Sequence, residues 1–131
     1  MPFACSVVIK DIHCFESGFF LLTPKLINMS ELLIGWTTCD NPDVAERLAH
    51  ELIDRNLAAC VQIDDGVRSV FKWKGQMQSD LECRLCIKFD PAKLDAVNNF
   101  IKVHHPYEVP EWVVFQTDVV SERYLNWATG Q

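Results

Sequence analysis

Two stretches of this chain are apolar on both faces of the strands they would form, and this limits its fold more than any other feature. In residues 32–38 the alternation places Leu33 with Gly35 and Ile34 with Trp36; in residues 111–118 it places Trp112 with Val114 and Val113 with Phe115. A strand with one solvated face alternates polar and apolar side chains, so a strand apolar on both sides needs cover twice. Only two amphipathic helical patterns lie between these stretches, enough to cover one face of a sheet. The second face needs another shield, because monomers seldom leave a large apolar patch in water. Other copies of the chain are expected to supply it.

The remaining elements follow from period. A helix is expected over 42–55: Asn41 can cap it, Pro42 suits its first turn, and Val44, Leu48 and Leu52 with Ala45, Ala49 and Ile53 form one apolar stripe. Residues 58–64 read as a strand, and Asp65-Gly66 as a hairpin turn into an antiparallel segment over 67–73. A turn at Lys74-Gly75-Gln76 leads to a strand over 81–89, with Leu81, Cys83, Leu85 and Ile87 on one face and Glu82, Arg84, Cys86 and Lys88 on the other. Asp90-Pro91 opens a second helix that runs through Leu94, Val97 and Ile101 to about His104, and Ser121 caps a short closing helix ending at Thr129. The expected class is α+β, a ferredoxin-like βαββαβ sandwich with an antiparallel sheet, an extra hairpin strand segment and a C-terminal helix. Residues 1–30 show no clean period and are read as an N-terminal extension of unknown role, with Met29 as an alternative start; residues 31–131 form the single domain.

Charge narrows the partners. A net charge of -6 argues against nucleic acid and anionic membrane, which basic clusters meet, and leaves cations attractive. No stretch approaches the roughly 20 apolar residues of a membrane-spanning helix. Six cysteines could build a disulfide framework, but 49% apolar residues support a core without one, so reduced thiols and a cytoplasmic location are expected.

Several residues carry ligand chemistry. Cys60 offers a soft thiolate, although from the residues alone a small buried hydrophobe is the commoner reading of a free cysteine. His105, with Glu108 and Glu111, offers nitrogen and oxygen ligands for Cu(II) or Zn(II), and His104 is a weaker candidate; at least one of the two histidines is expected to bond the carbonyls ending the helix instead. Cys83 and Cys86 have metal-knuckle spacing, but in a strand they face opposite ways, so that motif is set aside. Trp73 and Tyr107 lie beside loops, where packing is their commoner role. Arg68 and Lys88 read as ordinary ion-pair partners of groups such as Glu82.

Five pieces occur in order at compatible spacing: Leu57-Ala58-Ala59-Cys60-Val61, Gly66-Val67-Arg68-Ser69, Trp73-Lys74-Gly75, the acidic strand ending in Ile87-Lys88, and His105-Pro106-Tyr107-Glu108-Val109-Pro110-Glu111. Together, over residues 32–127, they resemble the CutA divalent-cation tolerance family. The resemblance implies a ferredoxin-like homotrimer that binds copper(II) or other divalent cations, with no assigned catalysis and no metal needed for folding. It also implies an intersubunit cleft near Trp73, Tyr107, Glu82 and Lys88. Two departures stand out: Cys39 falls where many relatives have Pro or Ala, making it an added ligand or filler, and residues 1–30 have no counterpart. Two other readings remain open. One is a signalling or scaffold module like the trimeric PII proteins, which hold small ligands between subunits, and the other is a thiol enzyme using Cys60 or Cys86 with His104 or His105.

Overall fold

Asn41 begins the first helix as its sequence requires: its side-chain oxygen accepts from the Asp43 N–H at 2.9 Å, and Pro42 occupies the next position. The computed structural model describes residues 31–130, so the expected N-terminal extension, residues 1–30, lies outside the described residues. The elements are β1 (Leu33–Cys39), α1 (Pro42–Asp54), β2 (Cys60–Trp73), β3 (Gln76–Phe89), a 3-10 turn (Pro91–Lys93), α2 (Leu94–His104), β4 (Val113–Gln116) and α3 (Glu122–Thr129). Helix α1 stops at Asp54 because Asn56 turns to φ 60 and the Leu57 N–H bonds back to the Leu52 carbonyl at 2.9 Å.

The four strands lie in the order β2-β3-β1-β4, each pair antiparallel. The architecture is the expected α+β, ferredoxin-like one, with one correction. There is no extra hairpin segment at Asp65-Gly66. β2 runs through these residues to Trp73, and a bulge between Asp64 and Val67 absorbs them, with Asp64 opposite Arg84 and Val67 opposite Glu82. Gly66 takes φ 73 while Asp65 stays at negative φ, so the pair fits a bulge and not a tight hairpin, whose two central residues both need positive φ. The hairpin turn is Lys74-Gly75, at φ 48 and φ 79. The strand read as 81–89 therefore begins at Gln76, and β2 and β3 form a ribbon of 14 residues a side.

Helices α1 and α2 pack on one face of the sheet. Leu48 and Leu52 from α1 and Val97, Phe100 and Ile101 from α2 meet Leu33, Leu85, Ile87 and Phe89 in a closed core. Gly35 lies opposite Ile87 and Val114, where the Trp112 ring crosses the sheet; a Cβ on Gly35 would collide with the ring edge. The indole is fixed from both sides, stacked 6.4 Å from Phe89 and donating from Nε1 to Asn98 Oδ1 at 2.8 Å.

The other face carries Ile34, Trp36, Val113 and Phe115, all partly exposed. The end of β3 meets α3 there, where Lys88 Nζ lies 5.6 Å from the centre of the Tyr124 ring. Beyond the bulge the ribbon extends past the helices, with Val70, Met77 and Leu81 exposed on one side and Phe71 and Trp73 on the other. No helix among the described residues is long and apolar enough to cross a membrane.

Candidate functional site

Register brings the acidic side chains together. Residues directly opposite in an antiparallel pair share a face, so Glu82, Val67, Asp80, Ser69, Gln78 and Phe71 lie on the face away from the helices. Alongside, the chain leaves α2 at His105 and descends through Pro106 to Pro110 before β4. A cleft of about 790 Å³ lies between this loop and the ribbon. Its aromatic walls are Phe71, Trp73 and Tyr107, and its carboxylates are Asp80, Glu82, Glu108 and Glu111. Among the described residues lining it there is no Lys, Arg or His.

The loop is held by His105. Its Nδ1 accepts from the Tyr107 N–H at 3.1 Å, which leaves Nε2 to carry the ring proton and donate to the Thr38 carbonyl at 3.0 Å. Burial holds this imidazole's pKa below the ordinary value, against the opposing pull of the Thr38 carbonyl and Glu82. Tyr107, aimed by that turn, donates its hydroxyl to Glu82 Oε1 at 2.8 Å. Burial first, and the carboxylate second, push the phenol well above its usual pKa, so it remains a donor.

Of the residues named from sequence, Trp73, Tyr107, Glu82, Glu108 and Glu111 line one cleft. Lys88 does not; it lies opposite Cys60 at the other end of the ribbon. Cys60 is thus six residues along β3 from Glu82, roughly 20 Å at strand rise, and cannot share a coordination sphere with the cleft carboxylates of the same chain. His105 has both ring nitrogens committed, and its partner is a strand carbonyl rather than the helix end. His104 points the other way, stacked 4.5 Å from Phe100 and within 3.3 Å of Arg55 Nη1 and 3.9 Å of Glu51. Cys39 is buried on the helix-covered face opposite Cys83, its thiol donating to the Asn41 carbonyl at 3.5 Å. Among the described residues no group of three or more His, Cys, Asp and Glu could hold a metal ion, so one chain alone does not fit a complete metal centre.

Sequence reasoning missed Asp80 and Phe71. Extending the 81–89 alternation back to Gln76 would have found Asp80 beside Glu82, but the false hairpin at Asp65-Gly66 hid the pairing that adds Phe71.

A family model described as CutA1 divalent ion tolerance protein matches residues 33–131. The chain belongs to this family. It is 35% identical over 96 residues to a protein named as a CutA homolog from Xenopus laevis, covering 73% of this chain and 64% of that protein. It is 36% identical over 91 residues to a divalent-cation tolerance protein CutA from Pectobacterium atrosepticum, covering 68% and 83%. A crystal structure of CutA1 from Oryza sativa superposes with a TM-score of 0.72 at 36% identity, covering 75% of this chain and 90% of that one. The chain spans only 52% to 64% of the first several full-length relatives it matches. Divalent-cation tolerance is in the name of the Pectobacterium protein, and the Oryza structure shares this chain's fold.

Proposed function

We propose that this chain serves divalent-cation tolerance in the cytoplasm as a homotrimer, binding copper(II) or a related divalent ion without catalysing a reaction. The observation that carries the reading is the cleft lined by four carboxylates and, among the described residues, by no basic side chain. Such a site attracts cations and repels anions. Because a single chain lacks a three-ligand group among the described residues, Glu108 and Glu111 at the exposed rim are read as ligands completed by a neighbouring copy. The open sheet face and the two-sided apolar ribbon supply the surface for such neighbours.

Calorimetric titration with Cu(II) and Zn(II) tests this reading. Saturable binding that weakens at least about tenfold in the E108Q/E111Q protein is expected, since charge-assisted ligands are lost. Equal affinity in the two proteins would remove the cleft from the account. A second reading has its own support: a cleft of about 790 Å³ is large for one ion and of a size that holds small organic molecules.

A further inference from the structure

The most buried carboxylate of the cleft is Glu82. Glu82 is 8% exposed, yet among the described residues no ion pair reaches it, and the neutral hydroxyl of Tyr107 donates to it. A buried carboxylate is costly unless a cation or several donors meet it. The second oxygen, Oε2, takes no part in that bond. The cleft beside it is walled by Phe71, Trp73 and Tyr107, and its rim carries Glu108 and Glu111.

These features select among cations. A hydrated metal ion gains little from ring faces, whereas an ammonium on an alkyl chain gains three things at once. It pairs with the carboxylate, it lies over an aromatic face, and its methylenes bury against the rings. Glu108 and Glu111 are exposed at the rim while Glu82 is buried at the base, which suits a second positive charge at the outer end of the ligand.

We propose that the cleft binds an alkyl diamine or polyamine, one ammonium against Glu82 beside the Trp73 and Tyr107 rings and another at Glu108 and Glu111. This rests on the reading of the cleft as a small-ligand site and is independent of which metal the protein tolerates. Selectivity comes from charge and rings together: an anion of the same length is repelled by four carboxylates, and a neutral diol forfeits both the ion pair and the ring contact.

The test uses the full chain freed of metal by a chelator and three probes of equal length: putrescine, 1,4-butanediol and succinate. Thermal shift and calorimetry should show putrescine raising the melting temperature and binding at least about tenfold more tightly than the diol, with no binding of succinate. Spermidine should bind more tightly than putrescine, and both should weaken as salt rises. E82Q keeps an acceptor for Tyr107 while removing the charge, and should weaken putrescine about tenfold or more. W73A, on the exposed ribbon, should weaken it by a smaller factor. Equal binding of diol and diamine, or binding of succinate, overturns the ligand class while the small-ligand cleft survives. No binding by any probe overturns both. Putrescine affinity unchanged in both E82Q and W73A overturns the site. Copper titration of the same samples reads the metal proposal separately.

Discussion

His105 shows how one residue sets the shape of the cleft. By accepting from the Tyr107 N–H and donating to Thr38, it ties the loop to the end of β1 and aims Tyr107 at Glu82. Burial lowers its pKa from 6.5, so as pH falls the unfolded chain takes up the proton first. The stability it contributes is therefore full above pH 6.5 and is lost as pH falls through 6.5 toward the folded-state value. Denaturant midpoints at about pH 7.5 and about pH 5.5, at fixed protein concentration, should fall more steeply for the native protein than for H105Q. Parallel slopes would mean His105 is not held neutral. Burial also raises the thiols of Cys39 and Cys83, the latter to about 11 with help from its contact with Asp65. Iodoacetamide at about pH 8 should leave both unlabelled until the chain is unfolded, since the thiolate is the reactive form. Rapid labelling of either in the native protein, read by peptide mass, would contradict the packing described.

At the scale of elements, the meeting of Gly35 with Trp112 fixes how the last strand approaches the first. A methyl at Gly35 would collide with an indole already held by Asn98 and Phe89, so G35A should destabilise by about 1–3 kcal/mol through overpacking, measured by chemical denaturation. A neutral effect would show that the ring can move aside. Gly75 in the Lys74-Gly75 turn has φ 79, and G75A there should cost about 1 kcal/mol. The order of strands and helices was legible because each buried face repeats at its own period, as in Val44, Leu48 and Leu52 on α1 or Cys83, Leu85 and Ile87 on β3. The ribbon was not legible, since Asp-Gly serves equally a tight turn and a bulge, and only pairing with Arg84 and Glu82 decides between them. Nor could sequence separate His104 from His105, whose neighbouring positions at a helix end send one ring to Glu51 and the other to Thr38. The cleft itself arises where the loop after α2 meets residues of the ribbon tens of positions earlier, which no local pattern records.

On the scale of the whole molecule, the account joins two features with one cause. A sheet covered by helices on a single face, and a ribbon apolar on both sides beyond them, leave Ile34, Trp36, Phe71 and Trp73 partly exposed in a lone chain. Other copies that cover these surfaces would also enclose the acidic cleft, whose Phe71 and Trp73 walls belong to the same ribbon. Assembly and cation binding should therefore rise and fall together, and substituting Trp73 by a charged residue should weaken both. Sedimentation equilibrium at micromolar concentration tests the assembly directly. The predicted mass is three times the 15.0 kDa of one chain; a stable, soluble species of 15.0 kDa would contradict the account.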